Sequence, residues 1–239
     1  MQGKGEAIWQ TEGPQKRAAV RRMFSDIAPT YDLLNSLMCM RLHYRWRKLA
    51  TAQLQLKPGD HALDVCCGTG DFILPLTSAV GGQGKVVGVD FCEPMLHRAQ
   101  EKLIRPLLSL GDACSLPIQS TAFDGASVGW GIRNVPDIDA AHREIFRVLK
   151  PGARFVSLDM ARPRNKLVRG VSRWMFEAIV PRLGRIFGKT EAYTYLPKST
   201  ALFRSREELA ESMRAAGFTG VGYRDFMLGN VCLHWGQKP

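Results

Sequence analysis

Between residues 61 and 160 short apolar runs alternate with helix-like segments, and this alternation constrains the fold more than any other feature of the chain. His61–Val65, Lys85–Asp90, Leu107–Leu110 and residues 123–130 and 153–160 read as strands. Residues 71–80, 93–104 and 138–149 carry helical patterns between them. Successive strands joined through helices run parallel, because a parallel connection needs a long crossover, and helices then cover both faces of the sheet. Residues 205–216 predict one more helix, ended by Gly217 at its C-cap. Residues 219–227 and 230–236 predict two last strands that meet as a hairpin at Leu228-Gly229. The expected fold is α/β, with a mostly parallel seven-stranded sheet, a C-terminal antiparallel hairpin and helices on both faces.

Two helical stretches flank this pattern. Residues 16–54 carry apolar positions at helical spacing, interrupted at Pro29 and resuming from Leu33 to Leu54. Residues 161–202 are also helical in period, with Leu167, Val171, Trp174, Met175, Ala178 and Ile179 on one face. This second stretch is basic: residues 161–190 hold eight Lys/Arg against Glu177 alone. Residues 1–15 are polar, lack the apolar block of a secretion signal and read as a tail.

The net charge of +11 narrows the partners to something anionic, whether nucleic acid, a membrane surface or a metabolite, unless the surface is simply basic. No run approaches the roughly 20 apolar residues of a membrane-spanning helix. The six cysteines (Cys39, Cys66, Cys67, Cys92, Cys114, Cys232) form no C-x-x-C pair. They read as reduced, small apolar residues of a cytoplasmic protein, and no metal site is expected.

The chemistry starts at Leu63-Asp64-Val65-Cys66-Cys67-Gly68-Thr69-Gly70-Asp71. A strand ends in a turn with two glycines and a helix follows, the geometry by which a ligand approaches the main chain. Asp90 closes the next strand 20 residues beyond Gly70, where a carboxylate accepts the two ribose hydroxyls of an adenosine. A dinucleotide site would need a third glycine where Ile73 stands, and Asp71 would repel a pyrophosphate at the helix start. S-adenosyl-L-methionine (SAM) has no phosphate and carries an ammonium and a sulfonium, which suit Asp64 and Asp71. After the third strand, Asp112 can accept from the adenine amine while the Ala113 backbone reads a ring nitrogen. Asp112 could equally cap a turn. Asp64, Gly68, Thr69, Gly70, Asp90, Asp112 and Ala113 thus form the expected cofactor site, with Gly129 at the end of the fourth strand.

Three further segments carry a resemblance. Tyr31-Asp32-Leu33-Leu34-Asn35, continuing to His43 and Trp46, is similar to the N-terminal signature of the ubiquinone/menaquinone biosynthesis C-methyltransferase family. Gly131-Ile132-Arg133-Asn134-Val135 resembles a second family segment, and Arg147-Val148-Leu149-Lys150-Pro151-Gly152, reaching Asp159, a third. The likeness spans about residues 20–235. Leu34, Cys39, Ala153, Asp159, Ala161 and Gly129 depart from the family pattern, which blurs the quinone subfamily.

The resemblance implies a class I SAM-methyltransferase Rossmann-like fold, with 55–239 as the methyltransferase domain. Residues 1–54 would then be a helical lid of the same domain and about 161–202 a basic insertion. It further implies methyl transfer from SAM to a ring carbon of a prenylated quinol, such as demethylmenaquinol. Such a carbon becomes nucleophilic once the adjacent hydroxyl loses its proton, so the site needs in-line placement and help with one proton. Arg133 and Asn134 are expected at the acceptor, with Tyr31 and His43 reaching in from the lid. His43 has the unperturbed pKa of a base near neutrality, although it could instead belong to a packing network. The insertion fits peripheral contact with the anionic inner face of a membrane, and self-association stays open. Two rivals stand beside this reading. One is an RNA methyltransferase, disfavoured by Gly129-Trp130-Gly131-Ile132 where an (Asn/Asp)-Pro-Pro-aromatic turn would lie. The other is a SAM-binding assembly partner without catalysis.

Overall fold

The computed structural model describes residues 8, 13–104, 106–178, 180, 182, 185, 188 and 190–239. Seven strands form one sheet: β1 (His61–Val65), β2 (Lys85–Asp90), β3 (Leu107–Leu110), β4 (Phe123–Gly129), β5 (Leu149–Met160), β6 (Thr219–Phe226) and β7 (Val231–Gln237). Their order is β3-β2-β1-β4-β5-β7-β6. The first five are parallel, and β7 runs antiparallel between β5 and β6. The strand order reverses at the β1/β4 boundary, so a crevice opens there at the carboxyl ends, the usual place for a ligand in such sheets. Four of the five β1 residues are buried, as expected of a strand covered on both faces.

Helices α1 (Gly13–Ile27), α2 (Tyr31–Met38) and α3 (Leu42–Leu54) precede the sheet. The continuous helix expected from Leu33 to Leu54 is broken at residues 39–41. Met40 and Arg41 take left-handed backbone angles, and the Cys39 and Arg41 N–H groups close the end of α2 on the Asn35 and Ser36 carbonyls. Within the tail expected over residues 1–15, Ile8 is buried in a cluster with Val20 and Met23, and residues 13–15 already form the first turn of α1. The rest of that tail lies outside the described residues.

Helices α4 (Ile73–Val80), α5 (Glu93–Lys102) and α6 (Ile138–Val148) fill the crossovers. Asp137 caps α6 by accepting from the Ala140 N–H. Leu149, expected as the end of α6, instead begins β5 and pairs with Phe123. Pro151 follows two residues later and offers no N–H to continue a helix. Helix α7 (Lys166–Ala178), α8 (Thr190–Leu202) and α9 (Arg206–Ala215) complete the chain before the hairpin. Ser205 and Glu208 form a reciprocal capping box at the start of α9.

The core lies on both sides of the sheet. Phe155, Leu149, Ile145 and Met213 pack on the α6/α9 face, and Trp46, Leu76 and Leu158 pack on the α3/α4 face. The apolar face expected along residues 167–179 does not join it. No residue of α7 is buried, and Ile179 lies outside the described residues.

Candidate active site

The crevice at the ends of β1, β2 and β4 encloses about 660 Å³, its open mouth included. Gly68, Asp90, Phe91, Asp112, Ala113 and Asn134 are among its walls. The turn after β1 builds its floor. Gly68 sits at φ +54°, and a side chain there would project into open space, so the backbone is bare where a ligand would lie. Across the cleft a Cβ on Gly131 would stand 2.3 Å from the Cys66 Cβ, so only glycine lets these two loops meet.

Asp90 anchors the turn. Its carboxylate accepts the Gly68 N–H at 2.8 Å and the Cys92 N–H at 2.9 Å. Burial nevertheless pushes its carboxyl up to about 6, against the pull of those backbone donors. Asp112 accepts from the Cys114 N–H at 3.0 Å and is ion-paired with Arg17 of α1. Phe24, also from α1, and Phe91, directly after Asp90, bring aromatic rings to the cleft.

Asp64 lies beneath this surface, accepting from the Ser127 hydroxyl at 2.7 Å. Its second oxygen is buried without a hydrogen-bond partner, and burial pushes the carboxyl up to about 7. An orphaned carboxylate oxygen under a bare glycine turn suits a ligand that brings a cation. Adenosyl methionine is such a ligand, through its ammonium and sulfonium. The cleft therefore fits the cofactor expected for it.

The other expected cofactor residues face elsewhere. The Thr69 hydroxyl donates to Asp32 at 2.5 Å. Gly70 turns its bare side towards Leu103, just past α5, and Gly129 towards the Phe72 ring, so both make room for packing.

Of the residues expected at the acceptor, Asn134 lines the cleft and Arg133 sits beside it. The Asn134 amide donates to the Trp130 carbonyl at 3.2 Å, and its oxygen accepts the Tyr195 hydroxyl at 2.9 Å. Arg133 donates to the Trp130 carbonyl at 3.0 Å and pairs with Asp159 at 2.5 Å, and it lines a neighbouring groove with Tyr195. Burial alone would weaken its charge, but Asp159 more than compensates and keeps the guanidinium protonated. Its Nε is buried without a partner.

Tyr31 and His43 are not on the cleft. Burial pushes the Tyr31 hydroxyl up, the Asn35 side chain pulling the other way. His43 accepts from Arg47 on one ring nitrogen and lies 3.3 Å from the Ser36 hydroxyl on the other. Burial, then the Arg47 charge, lowers it to about 4, so it stays neutral near pH 7 and is a weak base. Arg47 also pairs with Asp71 at 3.2 Å and lies 4.6 Å from the centre of the Trp130 ring. Burial raises the Asp71 carboxyl, but Arg47 and Lys102 reverse this and hold it below the usual carboxylate range. His43 and Asp71 thus belong to a buried ionic network behind Trp130, a wall of the cleft.

Sequence reasoning missed Arg17, Phe24, Phe91, Trp130, Tyr195 and Arg47. Phe91 was within reach, since an aromatic directly after the acid expected at the ribose would be placed to stack on a base. The Arg17–Asp112 and Tyr195–Asn134 contacts join residues 95 and 61 positions apart, and nothing local signals them.

A seven-stranded sheet of this order, with an acid-closed glycine turn at its switch point, defines an α/β methyltransferase of class I. Comparison with solved structures agrees on the fold. The chain superposes on a SAM-dependent methyltransferase from Thermotoga maritima, described as a possible histamine N-methyltransferase, with a TM-score of 0.66, at 22% identity over 91% of this chain and 99% of that one. The model of the ubiE/COQ5 methyltransferase family matches residues 11–238, and the chain belongs to that family. It is 41% identical to a demethylmenaquinone methyltransferase of Desulfitobacterium hafniense, over 98% of this chain and 95% of the relative. It is 43% identical to one of Roseiflexus sp., over 94% and 96%.

Proposed function

We propose that the chain methylates a ring carbon of a prenylated quinol, demethylmenaquinol before a benzoquinol, with SAM as methyl donor. The observation that carries this reading is the junction of two features in one cleft. The Asp90-anchored glycine turn suits an adenosyl sulfonium, and Asn134, held by Tyr195 from the neighbouring groove, stands on the cleft wall where an acceptor would enter. The names of the relatives supply the acceptor class.

Bound SAM supplies an electrophilic methyl group. The residues of this chain hold the partners and manage one proton. Asp90 would accept from the ribose hydroxyls, and Asp112 from the adenine amine once its pairing with Arg17 relaxes. Asp64, buried beneath the cleft, would balance the positive charge of the methionine end from below. At the acceptor, Asn134 is held by Tyr195 and aligns the quinol hydroxyl next to the reacting carbon. Arg133, kept charged by Asp159, favours the phenolate formed when that hydroxyl gives up its proton. Tyr31 and His43 act from behind: His43 fixes Arg47, and Arg47 fixes the Trp130 wall. The apolar walls keep water out, which favours a step in which the sulfonium charge disappears.

A prenyl tail keeps such a substrate in a bilayer, so the reading includes contact with a membrane surface. No helix among the described residues is long and apolar enough to cross one.

Incubation with methyl-labelled SAM and reduced demethylmenaquinone should place label on the ring, and the benzoquinol counterpart should accept less. Label on neither quinol would refute the reading.

A further inference from the structure

We propose that α7 is an interfacial helix by which the protein docks on an anionic phospholipid bilayer, its arginines holding lipid phosphates. This deepens the membrane contact named above and commits it to one surface.

The first observation is that α7 carries, beside the side that packs on the protein, a second apolar stripe that faces outward. Leu167, Val171 and Trp174 follow one another at helical spacing and are 77%, 54% and 66% exposed. The protein-facing side carries Val168, Ser172 and Phe176, each half-buried, while Arg169 and Arg173 stay exposed at the rim of a groove between α7 and α8. A helix packed only to close a cavity would keep its outward side polar. Three large apolar side chains on one outward stripe point to an apolar phase outside the molecule.

The second observation is charge. Residues 161–190 carry eight Lys/Arg and one acid. That acid, Glu177, is already paired with Arg173 at 2.9 Å. Arg162 and Arg169 border both this groove and a second pocket that reaches the start of α9. The stripe is therefore flanked by cations, the arrangement that lies in the headgroup layer with apolar residues below it. Tryptophan suits that layer, since its ring is apolar and its N–H polar. A second copy of the chain fits the stripe poorly, because a two-fold contact would bring one basic patch against another.

The test uses the full chain and vesicles of phosphatidylcholine with or without roughly 30% phosphatidylglycerol. Wild type should sediment with the anionic vesicles, scarcely with the neutral ones, and be released by high salt. Leu167→Ser with Trp174→Ser should weaken binding by at least tenfold, and Arg162→Glu or Arg169→Glu by about fivefold per charge removed, more for the reversal. All variants should bind SAM as wild type does, which shows that they fold. Methylation of a tail-less, water-soluble quinol should be unchanged. Equal sedimentation of wild type and variants, equal binding to neutral vesicles, or a solution dimer that dissociates on Trp174→Ser would each overturn the proposal. If no quinol is methylated while the vesicle results hold, the acceptor reading fails and the docking surface stands.

Discussion

Asp90 and Asp64 divide the work of the cleft by their surroundings. Asp90 has both oxygens tied to backbone N–H groups, so its position is set before any ligand arrives. Asp64 has one oxygen with no partner at all. Replacing Asp90 with Ala should remove SAM binding, by about a hundredfold or more, because it deletes the ribose acceptor and releases the Gly68 turn. Arg133→Ala should leave SAM affinity near wild type and lose most turnover. Calorimetry and a single-turnover assay separate the two, and normal SAM binding by both variants would overturn the assignment. Asp64→Asn carries a different expectation. It removes a buried carboxylate that the ligand-free fold does not fully satisfy, so the ligand-free protein should gain about 1–3 kcal/mol at pH 8 while SAM binds more weakly. Thermal melts with and without SAM would show opposite shifts.

At the scale of elements, α1 is more than a neighbour of the sheet. Arg17 reaches across the mouth of the cleft to Asp112, and the Lys16 ammonium donates to the Val135 carbonyl at 3.1 Å. Both contacts fall on residues that line the cleft. The helix therefore covers the Asp112 end of the cleft, and a ligand that used Asp112 would share it with Arg17. The pair is half exposed, and such pairs contribute only about 0.2–1 kcal/mol, so Arg17→Ala should barely change stability. It should instead speed release of the nucleoside product, by roughly three- to tenfold, since one latch on the lid is gone. Stopped-flow displacement would measure this. An unchanged release rate would mean that α1 does not gate the site.

At the scale of the molecule, five buried groups oppose one another in mild acid. His43, His142 and His234 are each lowered to about 4 by burial. The unfolded chain then binds more protons from about pH 4 to 6.5, so their contribution is present above that window and lost as pH falls through it. Asp64 and Asp90 are raised to about 7 and about 6, so the folded chain binds the extra protons there and these carboxyls favour it in acid. Ligand-free stability should therefore change little between pH 5 and 7. A ligand that needs both carboxylates charged should bind roughly a hundredfold more tightly at pH 7.5 than at pH 5.5, with proton release. Titration calorimetry in buffers of different ionisation heat would detect that release. Binding independent of pH would place these acids away from the ligand.

The strands, their parallel run, the closing hairpin and the residues at the strand ends were all legible in the sequence. Those features rest on local periodicity and on glycine and carboxylate spacing, which a single chain displays directly. Asp90, Gly68, Asp112, Ala113 and Asn134 do meet at one cleft because the strand order fixes where strand ends go. What the tertiary structure alone decided was the direction in which side chains face. His43 had the pKa of a base and sits in an ionic network, because Arg47 lies one turn further along α3 and the packing of that helix brings both against Asp71. The apolar stripe of α7 was legible as a face and its outward direction was not, since a helical period reports that a face exists and not what it meets. Packing between segments distant in sequence settles that, and no local pattern encodes it.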